Sequence, residues 1–147
     1  MKNEYKDRIA ISNPNLTIKM TPDFIVRRFN DPNKDLIILE SKYKQIPGSD
    51  WEKIESNWGF HKYYYAILCN INTIRIIVIL TGFWRECFKQ YDVYMQYAKE
   101  KYGDSAIFDF GVLDDIYRFA KYMNVNLTEE RKEQIKQFLI ENNKSQE

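Results

Sequence analysis

The sequence predicts an α/β fold with a mixed central sheet and additional C-terminal helices. Two apolar runs, residues 36–39 and 74–80, are short, rich in isoleucine and bounded by turn residues, which is typical of strands covered on both faces. Between them, apolar residues recur with helical spacing. A strand, a helix and a second strand in this order indicate a parallel crossover, so the sheet should contain parallel as well as hairpin-linked strands.

Length and composition limit the possible classes of function. The 147 residues suffice for one domain, with a core over about residues 1–82 and a helical extension over about 83–147. With 44% hydrophobic and 29% charged residues the chain is not of the disordered class, and no apolar run approaches the roughly 20 residues of a membrane span. A net charge of +1 gives no overall attraction to nucleic acid, so DNA binding must rest on local charge.

The N-terminal residues predict the compartment. Residues 1–8 are charged and lack the apolar core of a secretory signal. We therefore expect a cytoplasmic protein, in the host cytoplasm if the chain is viral, without a membrane partner.

The N-terminal third predicts strands, two of them joined by a hairpin. Residues 5–11 are expected to form a short helix or strand, and residues 16–20 alternate like a half-buried strand. Residues 24–29 are β-prone, and residues 30–35 supply a turn before the first apolar run. The segments on either side of this turn should pair as antiparallel strands.

A helix is predicted over residues 50–68, with Ser49 or Asp50 as its N-cap. One stripe of this helix should face the sheet because its members recur every three or four residues. The stripe comprises Ile54, Trp58, His61, Tyr65 and Leu68.

Three more helices are expected at residues 84–102, ended by Gly103, at residues 112–123, and at residues 129–142 with Thr128 as N-cap. The last two could form a helix-turn-helix, but the final helix mixes both charge signs. A plain helical hairpin for packing or dimerisation is therefore favoured. The first helix has an apolar stripe that should pack in the core: Trp84, Phe88, Tyr91, Met95 and Ala98.

The strand that begins at Leu36 becomes ionic at its end. Because side chains alternate along a strand, Glu40 and Lys42 share the face of Leu36 and Ile38. Burying a carboxylate and an ammonium is costly without partners. The pattern indicates a bound metal, a counter-charge or an opening cleft at this point.

The hairpin should bring Asp23 roughly opposite Glu40 and Ser41. The two carboxylates share a face if Asp23 pairs with Glu40 rather than with Ser41, and the sequence leaves this register open. Together with the Ser41 carbonyl they would offer the hard oxygen ligands that Mg²⁺ or Mn²⁺ prefers. Lys42 would then orient an attacking water or stabilise the added negative charge of a pentavalent phosphorane.

These residues resemble the signature of the PD-(D/E)XK nucleases. The segment from Thr21 to Phe24, which contains Pro22-Asp23, is followed by a hairpin and by Glu40-Ser41-Lys42, and archaeal and phage Holliday-junction resolvases have similar stretches. The resemblance covers roughly residues 16–80. It implies a restriction-endonuclease-like αβββαβ core, a divalent-metal cofactor and a nucleic-acid substrate.

A second resemblance involves the helix after the signature. RecB-type nucleases have Gln-x-x-x-Tyr facing the site, and His61 and Tyr65 occupy the corresponding positions here, with His in place of Gln. Many members of the superfamily also present an acidic residue from an N-terminal helix. Glu4, or else Asp7, is the match for it in this chain.

The sequence thus predicts a Mg²⁺-dependent deoxyribonuclease in which Asp23 and Glu40 hold the metal, Lys42 assists the attacking water, and His61 with Tyr65 tunes or contacts the DNA. In the simpler reading, Asp23 is a turn residue and Glu40 with Lys42 an exposed ion pair. Two other functions stay open. One is a catalytically inactive module of the same fold that binds nucleic acid or protein, and the other is a structural protein that dimerises through its C-terminal helices.

Overall fold

The computed structural model describes residues 22–27, 36–47, 51–69 and 74–144 of the chain. They form an α/β architecture on a mixed four-stranded sheet, as predicted. β1 runs antiparallel to its neighbour, and the other strands continue the sheet in parallel. In their order across the sheet, the strands are β1 (Phe24–Arg27), β2 (Leu36–Lys44), β3 (Ile74–Gly82) and β4 (Ile107–Asp109).

Several predictions fall outside the described residues. These are the elements at residues 5–11 and 16–20, the turn at residues 30–35, and the acids Glu4 and Asp7. The αβββαβ core that the resemblance implies therefore stays a prediction.

Both faces of the sheet are covered. On one face Leu36 and Ile38 of β2 belong to a core cluster with β3 and the helices that flank it, and on the other Ile37 and Leu39 pack with β3 and β4. The strand is therefore apolar on both sides up to Leu39, as its sequence predicts. The stripe expected in the core is buried throughout: Trp84, Phe88, Tyr91, Met95 and Ala98.

The connection from β2 to β3 is helical, as predicted, but it is not uniformly α-helical. α1 (Trp51–Ser56) leads into a π-helical turn (Asn57–His61), and α2 (Lys62–Cys69) completes the connection. A π turn holds one residue more than an α turn and occurs frequently at functional sites. The apolar spacing predicts the helix but not the wider turn.

The prediction of one continuous helix over residues 84–102 is wrong. The segment forms α3 (Trp84–Cys87) and α4 (Tyr91–Tyr102), because Phe88 takes an extended conformation with φ −116° and ψ 107°. The Phe88 ring is buried and meets the Trp84 ring edge-on, with centroids 6.4 Å apart. Both helices pack against the same core, so the apolar spacing continues across the break and could not reveal it.

The C-terminal part contains α5 (Leu113–Tyr122) and α6 (Glu129–Lys144), close to their predicted bounds. The backbone N–H of Arg131 donates to Thr128 Oγ1 at 3.2 Å, so Thr128 is the predicted N-cap. β4 is missing from the sequence prediction because three residues are too few to display an alternation. Within the described ranges, no helix combines the length and the apolar character needed to cross a bilayer.

Candidate active site

The register of β1 on β2 decides where Asp23 lies. Phe24, the first residue of β1, pairs with Leu39, and this register, extended by one residue beyond the strand, would set Asp23 opposite Glu40. Directly opposed residues of antiparallel strands share a face of the sheet. A pairing of Asp23 with Glu40, rather than with Ser41, is the one that would put both carboxylates on the same face of the sheet.

Asp23 is tied to the strand that contains Glu40. Its Oδ2 accepts a hydrogen bond of 2.8 Å from the backbone N–H of Ser41. Ser41 therefore contacts Asp23 through its amide, and its exposed side chain belongs to the other face of β2.

Glu40 is the buried carboxylate of the site, with 5% of the residue exposed. Each of its oxygens has a partner: Tyr65 Oη donates to Oε1 at 3.2 Å, and Lys42 Nζ forms an ion pair with Oε2 at 3.4 Å. Lys42 is more open, with 24% of its side chain exposed. Glu40 is thus held from two sides, while the ammonium beside it stays accessible.

The surroundings of Glu40 favour its neutral form. Burial raises its pKa above the ordinary value of 4.5, and the nearby negative charge of Asp23 raises it further. The Lys42 charge and the hydrogen bonds from Tyr65 and Lys42 oppose this, but desolvation is the largest effect and the net pKa is raised. A cation bound near both carboxylates would reduce the repulsion between them.

The end of β2 is fixed by the segment that follows β3. The indole N–H of Trp84 donates to the Lys42 carbonyl at 2.8 Å, and the Phe83 N–H donates to the Lys44 carbonyl at the same distance. Gly82 makes this approach possible: its φ is +85°, and a Cβ atom there would lie 2.3 Å from the Lys44 carbonyl oxygen. The backbone at Lys42 is thereby held in place.

His61 ends the π turn, in the neighbourhood of Lys42. Its ring meets the Tyr65 ring edge-on, with centroids 6.4 Å apart, and its Nδ1 lies 3.1 Å from Asn57 Oδ1. Burial lowers the pKa of His61 below 6.5, and the positive charge of Lys42 lowers it further. The imidazole is therefore held in its neutral form near neutral pH.

Asn57 is the residue that the sequence reasoning missed. It is fully buried, and its amide nitrogen donates to the carbonyls of Lys53 and Ile54, at 3.0 Å each. The signal was present, because Asn57 precedes His61 by four residues on the face that carries Ile54. Side chains of this type often bond to carbonyls three and four residues earlier in a helix, so the sequence alone does not single Asn57 out.

The structure brings the predicted residues together at the polar end of β2. Contacts or electrostatic coupling link Asp23 to Ser41 and Glu40, Glu40 to Lys42 and Tyr65, and Lys42 to His61. Among the described residues, no group of three or more His, Cys, Asp or Glu is arranged to hold a metal ion. The metal-binding role of Asp23, Glu40 and the Ser41 carbonyl stays a prediction from the sequence.

A second acidic cluster, at the end of β4, has a structural explanation. Asp109 accepts hydrogen bonds from Tyr91 Oη at 2.5 Å and from the Gly111 N–H at 2.8 Å. Asp115 accepts from the Asp109 N–H at 2.7 Å and forms an ion pair with Arg118 at 3.1 Å. These bonds join β4 to the start of α5, and both carboxylates are engaged by the protein itself.

Comparisons with known protein families, with curated proteins and with solved structures found no match to this chain. What can be said of its function therefore rests on the chemistry of the site.

Proposed function

We propose that the chain is a metal-dependent nuclease with a restriction-endonuclease-like core, which hydrolyses phosphodiester bonds of DNA. The main supporting observation is that Asp23, just before β1, accepts a hydrogen bond from the N–H of Ser41, the residue next to the buried Glu40. Lys42, also at this end of β2, contributes an accessible positive charge. Two carboxylates and a cation at one strand end are suited to a phosphodiester substrate.

The donor set fits a hard divalent cation. Asp23 and Glu40 are coupled closely enough for one charge to raise the pKa of the other acid, and Mg²⁺ is commonly held by one or two carboxylates together with water. Asp23, Glu40 and the Ser41 carbonyl would hold Mg²⁺, with Mn²⁺ as a substitute. When bound, the ion would polarise the scissile phosphate and lower the pKa of an attacking water.

The remaining residues act around this pair. Lys42 places its ammonium where it can orient the water or stabilise the charge that develops on the phosphorane. Tyr65 fixes Glu40 through its hydroxyl, and His61 is positioned to tune or contact the substrate. Lys42 and Tyr65 contact Glu40 directly, and His61 contacts Tyr65.

A cleavage assay tests the proposal. Linear and branched DNA are incubated with the protein in Mg²⁺ or Mn²⁺, and Glu40→Gln should abolish cleavage because one metal ligand loses its charge. Glu86→Gln is the matched control, since Glu86 is an exposed acid on α3. Cleavage that survives unchanged in Glu40→Gln would show that the residue assignment is wrong.

The alternative is an inactive module that binds nucleic acid or another protein. The observation in its favour is an apolar stripe beside the site: Phe60, Tyr63 and Ile67 are 64%, 67% and 47% exposed. Exposed aromatic rings are suited to stacking on bases or to a protein contact. Fluorescence anisotropy with labelled DNA in EDTA measures binding, and addition of Mg²⁺ in excess of the EDTA then distinguishes the two functions: the nuclease would cleave the bound DNA, whereas the inactive module would leave it intact.

A structural role through a homodimer is the third possibility. On α6, Phe138 is 64% and Ile140 is 45% exposed, so the helix has apolar surface to offer to a second copy. Light scattering of the wild-type chain and of Phe138→Glu measures the molecular mass of each in solution. A mass of two chains that falls to one in the variant would support the dimer, and a single-chain mass for both would exclude it.

A further inference from the structure

His61 is the single histidine of the chain. Within the described part of the protein, the hydrogen-bond partner of its ring is Asn57, whose Oδ1 lies 3.1 Å from Nδ1. A neutral imidazole carries one proton, on Nδ1 or on Nε2, and the partner of one nitrogen decides which tautomer is present. The nature of the atom that faces Nδ1 therefore determines the chemistry of the other nitrogen.

The orientation of the Asn57 amide follows from its surroundings. Its nitrogen lies 3.0 Å from both the Lys53 and the Ile54 carbonyl oxygens, and backbone carbonyls can only accept. The flipped amide would set oxygen against oxygen twice in a fully buried position. The NH₂ group must face the carbonyls, so the oxygen must face His61. Because that oxygen has no hydrogen, Nδ1 must supply it.

We propose that Asn57 is a positioning residue that holds His61 as the Nδ1–H tautomer, so that Nε2 keeps its lone pair and serves as the general base of the reaction. The base role rests on the proposed nuclease function, whereas the tautomer does not. In water, the neutral side chain of a free histidine prefers to carry its proton on Nε2. Asn57 thus reverses the preference that the ring would have in water.

The charges around the ring suit this role. Burial and the positive charge of Lys42 both disfavour the imidazolium and lower the pKa of His61. Lys42 forms an ion pair with Glu40, at 3.4 Å, and an ammonium has no lone pair with which to take a proton. The cation and the base are therefore separate groups that lie close to each other.

In the proposed hydrolysis each transferred proton has a donor and an acceptor. The oxygen of the attacking water forms a new bond to phosphorus while one of its protons moves to Nε2 of His61, which gives an imidazolium. The bond from phosphorus to the leaving sugar oxygen breaks, and that oxygen takes a proton from solvent. The imidazolium then returns its proton to solvent, which its lowered pKa favours.

Nitrogen NMR on the labelled histidine tests the tautomer without any need for activity. A long-range proton–nitrogen correlation spectrum at about pH 8, where an imidazole of ordinary pKa near 6.5 is neutral, should show Nδ1 as the protonated nitrogen. The single histidine removes any question of assignment. A wild-type spectrum with the proton on Nε2 would overturn the proposal, and this measurement requires no variant that must fold.

Two variants then test the role of Asn57. In Asn57→Ala the Nε2–H form should become the major tautomer, as in free histidine. Ser56→Ala is the matched control, because the Ser56 hydroxyl donates to the same Lys53 carbonyl at 3.2 Å but does not contact the ring. A spectrum of Asn57→Ala that is identical to that of the wild type would show that Asn57 does not set the tautomer.

Cleavage kinetics test the base. His61→Gln keeps an amide donor for Asn57 but has no basic nitrogen, so kcat should fall by about 10²–10⁴-fold with little change in KM. Asn57→Ala should lower kcat by about 10- to 100-fold, the scale of partners that orient a functional histidine. Equal kcat in His61→Gln and the wild type would overturn the base role alone. A wild type that cleaves no DNA would overturn the nuclease function and the base role with it, while the tautomer would still be judged by its spectrum.

Discussion

The hydroxyl of Tyr65 donates a hydrogen bond of 3.2 Å to Glu40, and both residues are almost entirely buried. The bond joins the helical connection between β2 and β3 to the strand that bears the acid. A buried carboxylate with a fixed donor keeps one orientation, so α2 controls which way the acid points.

Tyr65→Phe should lower the free energy of unfolding by about 1–3 kcal/mol, because it leaves a buried carboxylate oxygen without its donor. The same change removes an interaction that lowers the pKa of Glu40, so that pKa should rise. Urea denaturation at pH 7 measures the stability. Tyr63→Phe is the control, since Tyr63 is 67% exposed, and equal losses in both variants would contradict the prediction.

Glu40→Gln should stabilise the metal-free protein at pH 7, by on the order of 1 kcal/mol, the usual scale of a single substitution. Burial raises the pKa of Glu40, so the folded state binds its proton more tightly than the unfolded state does. Ionisation therefore costs stability above the folded pKa, and this cost disappears as the pH falls to 4.5 and below.

Melting curves in EDTA from pH 7 down to pH 4 measure this difference. The advantage of Glu40→Gln over the wild type should shrink as the solution becomes acidic, and Glu86→Gln, at an exposed position, should show no such trend. A constant difference between Glu40→Gln and the wild type across the range would mean that ionisation of Glu40 does not cause it.

Mn²⁺ should raise the melting temperature of the wild type, because a ligand that binds the folded state stabilises it by mass action. At one hundred times the dissociation constant the gain is about 2.7 kcal/mol. Asp23→Asn should lose most of this gain, although its amide oxygen can still accept the bond from the Ser41 N–H. Asp92→Asn, at an exposed position on α4, should keep the gain, and equal shifts in all three proteins would count against a metal held by Asp23.

Gly82→Ala should destabilise the protein by about 2 kcal/mol or more. A side chain at φ +85° is strained, and the added Cβ would lie 2.3 Å from the Lys44 carbonyl. Gly59→Ala is the matched control, because a Cβ there has nothing within 4 Å. Denaturation curves of the two variants should separate clearly. If Gly82→Ala were as stable as Gly59→Ala, the close approach of β3 to the end of β2 would be refuted.

The features that can be predicted from the sequence are those in which one residue pattern has one physical meaning. The apolar run before Glu40 predicts a strand covered on both faces because it is short, rich in isoleucine and bounded by turn residues. β4 and the break at Phe88 escape prediction for the opposite reason: three residues display no period, and a core-facing ring keeps its spacing whether or not the helix continues.

Some features of the candidate site can likewise be predicted from the sequence, and others cannot. Alternation along the strand places Glu40 and Lys42 on one face, but the partner of Asp23 depends on the hairpin register, which tertiary packing decides. Asn57 could not be recognised because its role depends on which of its side-chain atoms meet the Lys53 and Ile54 carbonyls and which meets the His61 ring. The catalytic and metal-binding roles of Asp23, Glu40, Ser41, Lys42, His61 and Tyr65 stay predictions.

The π turn between α1 and α2 also sets the rotational phase of the second helix. A turn that holds one extra residue leaves α2 rotated by roughly 100° from where an uninterrupted α-helix would set it. The side of α2 that meets β2 therefore depends on five residues, Asn57–His61. An alignment of this chain with a protein whose corresponding helix runs straight would need a one-residue gap here before the two sets of site residues coincide, and a graft of α2 onto another scaffold would have to include the turn.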